Sequence, residues 1–169
     1  SKLKSGEIVK IKCTIYKARD AAHKRMIEDY EKTVKFPFDM ENAVIYYAGP
    51  APAKPGQPIG PAGPTTSYRM DSYAPYLMDR GETGMIGKGA RNSDVINSMK
   101  KNKAVYFAAT GGAAALISSH IKSAEVIAYE DLGAEAVRKL YVEDFPAIVV
   151  IDTEGNNLYE TQKAKYRTL

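Results

Sequence analysis

At 169 residues, with 44% hydrophobic and 26% charged side chains, the chain is long enough for one domain with its own core and too apolar to be disordered. Its net charge of +4 is spread along the sequence and is not interleaved with aromatics. That pattern favours a mild positive field for small dianions, or an acidic partner, over a nucleic-acid surface. The single cysteine, Cys13, excludes an internal disulfide and any metal centre built from thiolates of this chain alone. The sequence shows no apolar run near the roughly 20 residues that span a bilayer and no secretory leader, so a cytoplasmic location is expected.

Residues 7–16 alternate apolar and polar with period two, which predicts a strand buried on one face. Cys13 falls in phase with the buried positions and reads as a packed strand residue rather than a reactive thiol. Asp20 is the expected N-cap of a helix running to about Lys32, with Ala22, Met26 and Tyr30 repeating every four residues. Arg19 then stands at a strand-to-helix junction, a common place for ligands. Residues 43–48 form a short apolar strand that feeds the loop 49–64, which holds six prolines and four glycines. A connection that long is expected to be functional or disordered.

A polar helix is expected from Met70 or Asp71, with Pro75 in its first turn. Residues 83–89 read as a short strand ending in Gly87-Lys88-Gly89. Asn92 or Ser93 caps a helix through Lys101, and residues 104–109 are a buried strand. Thr110-Gly111-Gly112 turns that strand into an Ala-rich helix over 113–120. Short strands at 126–129, 140–142 and 147–152 follow, with a hairpin-like turn over 152–156. Strands alternating with helices predict an α/β fold, one domain over 1–169, with antiparallel pairing towards its end.

Chemistry concentrates in residues 60–73, Gly-Pro-Ala-Gly-Pro-Thr-Thr-Ser-Tyr-Arg-Met-Asp-Ser-Tyr. Proline and glycine make a stiff loop that approaches a ligand closely, and the loop carries Thr65, Thr66 and Arg69. Arginine's planar fork of donors suits carboxylate or phosphate. With Arg19 and Lys88 it makes three cations on loops at strand ends, without a matching acid. Their convergence implies an anionic ligand, and a dicarboxylate suits them better than a neutral substrate. Lys88 reads equally as an exposed lysine in a glycine turn. Gly111-Gly112 is either an anion-binding helix start or a close helix-on-strand packing. His23 follows Arg19 by four and shares its helix face, as a candidate proton-transfer or orienting group, while His120 reads as structural.

Several strings occur in an order that resembles a known family. They are Ala18-Arg19-Asp20-Ala-Ala-His23-Lys24-Arg25, Tyr47-Ala-Gly-Pro, Gly60 to Asp71, Gly87-Lys88-Gly89, Thr110-Gly-Gly-Ala-Ala-Ala and Val142-Glu-Asp-Phe-Pro-Ala147. Together they resemble the C-terminal domain, or separate β subunit, of class I iron–sulfur fumarate hydratases and the related tartrate dehydratases. The resemblance implies a swivelling β/β/α domain and a [4Fe-4S] cluster bound by a partner α subunit, not by this chain, in an α2β2 assembly. It places Arg19, Arg69 and Lys88 on the substrate and Thr65 at the transferred proton, with Thr66, His23 and Asp71 as further candidates. The implied reaction is trans addition of water to fumarate to give L-malate, and alone the chain is expected to be inactive. Dehydration of L-tartrate is the nearest alternative. A non-catalytic anion- or nucleotide-binding module is the alternative of another class.

Overall fold

The fold is seen in a computed structural model that describes residues 3–49, 55–56, 59–60, 63–109 and 114–161, with backbone only at 114 and 115. Strand β1 (Ile8–Lys17) leads into helix α1 (Asp20–Thr33), β2 (Val44–Tyr46) and a 3-10 helix (Ser67–Met70). Helix α2 (Ala74–Met78), β3 (Gly84–Gly87), α3 (Ser93–Asn102) and β4 (Val105–Ala109) follow. Then come α4 (Ala114–Ser118), β5 (Ile121–Ala128), a second 3-10 segment (Glu130–Glu135) and β6 (Val137–Ile151).

Strands β1 to β4 run parallel to their successive neighbours. The antiparallel β6 pairs with β4 on one side and with β1 on the other, closing the sheet into a small barrel. Closure removes the free edges that β1 and β4 would otherwise present. Strand β6 makes this possible through its length. One edge serves β1 from Arg138 to Ile148. The other serves β5 over Val137–Val142 and β4 over Ala147–Ile151.

Two short strands were expected in this region, and a single one is observed. Asp144, at φ 52°, and Pro146 fall where β6 passes from β5 to β4, with a bulge opposite β1 between Ile11 and Cys13. A proline is tolerated there because no neighbour needs its missing N–H on that edge.

Strands β2 to β4 are apolar on both faces, so the alternation seen in β1 is lost in their sequences. Tyr46, Ile86, Phe107, Leu140, Val142 and Phe145 fill the barrel. Ile45, Tyr47, Met85 and Tyr106 point the other way, onto Met26 of α1, Leu77 of α2 and Val95 and Met99 of α3. Cys13 is half-buried against the barrel interior, as expected, and burial pushes its thiol pKa up.

Two helix starts differ from expectation. Arg19, not Asp20, is the N-cap of α1, with extended backbone and no side-chain cap. The polar helix expected from Met70 is divided into the 3-10 turn and α2, with Pro75 in the first turn of α2. Asn92 caps α3 as expected, accepting from the Val95 amide at 2.9 Å. His120 is structural, its Nδ1 lying 3.2 Å from the Glu143 carbonyl.

Candidate anion-binding site

The C-terminal ends of parallel strands leave backbone groups and helix starts unpaired, and ligands in α/β folds collect there. Arg19 follows β1, Gly49 follows β2 and Lys88 follows β3. Residues 64–67 are wedged between the last two. Pro64 bridges Ala48, and the Thr65 amide donates to the Tyr47 carbonyl at 2.7 Å. Thr66 bridges Lys88. Residues 64–67 thereby set two hydroxyls, those of Thr65 and Thr66, beside the β2 and β3 ends, both residues half-buried.

Ser67 fixes the lysine. Its amide donates to the Lys88 carbonyl at 2.9 Å, and its hydroxyl accepts from the Lys88 amide at 3.1 Å. Tyr106 donates its one hydroxyl proton to the Gly89 carbonyl at 2.8 Å. The Ser67 hydroxyl, 2.7 Å from Tyr106 Oη, must therefore donate to Tyr106. Gly87 leaves room for this chain of bonds, since a Cβ there would run into Ser67 Oγ and lie 2.9 Å from Tyr47 Cδ2. The Lys88 side chain itself is exposed.

The two arginines are linked by an acid, which corrects the expectation of three unmatched cations. Asp20 Oδ2 accepts from Arg69 Nη2 at 2.8 Å, and Asp20 Oδ1 lies 4.0 Å from Arg19 Nε. Asp20 opens α1 and turns its carboxylate to the loop, so its N-cap signal in the sequence had another cause. Burial raises its pKa, but its own backbone amide and the nearby Arg69 outweigh that, and the net shift is downward.

His23 and Asp71 face inward. The His23 ring is fully buried with Nδ1 2.7 Å from the Arg19 carbonyl, which fixes the Nδ1–H tautomer. Burial pushes its pKa down to about 4, so the ring is neutral and braces the Arg19 backbone. The Asp71 carboxylate accepts from Arg91 Nε at 2.7 Å and from the Asn92 amide at 2.9 Å. Both of its oxygens are thus used within the protein.

Three buried ionisable residues were missed by sequence reasoning. Arg91 lies with its guanidinium over the Tyr47 and Tyr106 rings, 5.2 and 4.9 Å from their centroids. Glu82 is fully buried, with no hydrogen-bond partner for either oxygen among the described residues, and burial pushes its pKa up to about 8. Lys17 donates into the carbonyls of Ala134 and Ala136, and its pKa is pushed down to about 7 by burial, with Arg138 and Arg19 adding to the effect. No local pattern distinguishes these residues from solvated charges. Only the burial of their neighbours does.

Thr110, Gly111 and Gly112, and residues 50–54, 57–58 and 61–62 of the long loop, lie outside the described residues. A cleft of about 670 Å³ lies at the other end of the strands, lined by Glu41, Asp79, Arg80 and Lys103 among others. It is remote in the topology from the converging loops. Among the described residues no helix is long and apolar enough to cross a membrane.

Fold and site together define a small α/β barrel with a candidate anion-binding cluster at the C-terminal ends of its parallel strands. Residues 1–162 match the family model described as the fumarase C-terminus. The chain is 40% identical over 149 residues to the anaerobic class I fumarate hydratase of Escherichia coli K12, covering 87% of this chain and 27% of that protein. It is 39% identical to fumarate hydratase 2 of Leishmania major, covering 91% of this chain and 28% of that protein. It is 37% identical to a putative L(+)-tartrate dehydratase subunit beta of Methanocaldococcus jannaschii, covering 97% and 87% respectively. The chain belongs to the fumarase C-terminal family. It spans little more than a quarter of the length of the first two relatives.

Proposed function

We propose that this chain is the β subunit of a hydro-lyase that interconverts fumarate and L-malate, and that it supplies the carboxylate-binding half of a site completed by an α subunit. The observation that carries this reading is that Arg19 and Lys88 follow β1 and β3 of a fumarase C-terminal fold, while Thr65 is bonded beside the end of β2 and Arg69, on the 3-10 turn, is tied to Asp20 at the start of α1. The relative that matches over most of its own length is named as a subunit beta, which supports a separate partner chain. One thiol, Cys13, does not suffice for a [4Fe-4S] cluster, and among the described residues no group of His, Cys, Asp and Glu suits a metal ion. The cluster is therefore assigned to the partner, where it would supply Lewis acidity.

In this chain, Arg19, Arg69 and Lys88 hold the substrate carboxylates. They also stabilise the charge that gathers on one of them when the proton at the neighbouring carbon leaves. Donors fixed in advance do this without reorganising, and the backbone bonds to Ser67 and Tyr47 fix the loop that carries them. Thr65 stands at that proton, either as the transferring group or as its positioning partner.

The test is co-expression with a cluster-bearing α subunit, anaerobic reconstitution, and assay on fumarate, L-malate and L-tartrate. Turnover of fumarate ahead of tartrate supports the proposal. Preference for tartrate establishes the second reading, which the Methanocaldococcus relative favours. No turnover of any of the three by a cluster-loaded complex would refute both.

A further inference from the structure

We infer that Asp20 is the positioning residue for Arg69, holding one edge of its guanidinium so that the remaining donors face an incoming carboxylate. The inference rests on the proposed function for the identity of the ligand, and on geometry alone for the contact. Arg69 lies on the 3-10 turn and Asp20 at the start of α1, two segments that share no strand pairing. Their bridge is a single hydrogen bond, from Nη2 to Oδ2 at 2.8 Å. A bidentate pair would use a second donor, whereas this one leaves Nε and Nη1 without a partner among the described residues.

The other Asp20 oxygen is buried with no hydrogen-bond donor among the described residues, and Arg19 Nε, 4.0 Å away, is likewise unpartnered among them. Asp20 therefore stands between two cations that would otherwise repel each other. Two other charged groups bear on it. Glu135, on the 3-10 segment before β6, interacts with the Asp20 carboxyl itself and approaches the Ala21 amide at 3.4 Å. Lys17, at the end of β1, is drawn away to the carbonyls of residues 134 and 136. Neither provides Arg69 with a carboxylate, so no described group duplicates Asp20.

The first test uses this chain alone. Slow rotation of an arginine held by a carboxylate separates its Nη signals in carbon-detected NMR, and Arg69→Lys assigns them. Asp20→Asn should merge the Arg69 signals, and Asp20→Glu should restore the separation. Backbone amide spectra report whether each variant is folded. The second test uses the cluster-loaded complex. Asp20→Asn should raise KM for fumarate about two- to fivefold, the range of a partly exposed ion pair, with kcat little changed. Unchanged Arg69 signals in Asp20→Asn would overturn the inference whatever the complex does. So would a fall in kcat with KM unmoved. If the wild-type complex turns over no dicarboxylate, the proposed function fails and the NMR result still decides the role of Asp20.

Discussion

Arg19 and Gly49 are packed so closely that a side chain on one displaces the other. A Cβ at Gly49 would overlap Arg19 Nη1 and lie 3.0 Å from Cδ and 3.2 Å from Cζ. The glycine after β2 is thus the wall against which the arginine after β1 is laid. It serves as the floor of a side chain and not as a turn.

Gly49→Ala tests that wall. The clashing atoms are the far end of a flexible side chain, so the fold should absorb the methyl, with thermal stability changed by about 1 kcal/mol or less. Arg19 must move, and in the reconstituted complex KM for fumarate should rise by about tenfold or more. A large stability loss with KM unchanged would show that the glycine serves packing alone.

Removing the acid beneath the loop should act differently. Asp71 holds Arg91 and the start of α3 together, and Arg91 is almost fully buried. Asp71→Ala leaves an uncompensated buried guanidinium and should cost about 3–5 kcal/mol in chemical denaturation. An exposed ion pair would cost under about 1 kcal/mol, so a loss that small would contradict the buried network.

Glu82 makes a prediction in pH. Its pKa is about 8 when folded, against about 4.5 for an ordinary glutamate. Between those values the folded state keeps a proton that the unfolded chain releases, so this residue's contribution to stability falls as pH rises from about 4.5 to 8. Glu82→Gln cannot release the proton. Its stability relative to the wild type should therefore increase between about pH 5 and pH 8, as measured by urea unfolding. A difference independent of pH would show that the carboxyl is ionised in the fold.

Much of this was readable in the chain and some was not, for physical reasons. Strand β1, helices α1 and α3 and the barrel-filling runs announce themselves by period or by apolar density. The loop 60–73 is marked by its proline and glycine content. What stayed hidden is pairing at a distance in sequence. Nothing around Asp20 reveals that its carboxylate meets Arg69, because helix-start acids look alike whether they cap or reach outward. Sequence reading divides β6 into strands at 140–142 and 147–152, because it cannot tell that two neighbours exchange places between them. Lys17, Glu82 and Arg91 are ordinary surface residue types, buried only by what the rest of the chain folds over them.

The proposed carboxylate clamp is tested most directly by steady-state kinetics of fumarate hydration, comparing wild type with Arg69→Ala in the cluster-loaded complex. Loss of a charge-assisted hydrogen bond to substrate is worth about 1.5–3 kcal/mol, so kcat/KM should fall about 10- to 100-fold. Equal kcat and KM in the two proteins would contradict the assignment of the Arg19, Thr65, Arg69 and Lys88 cluster as the substrate site.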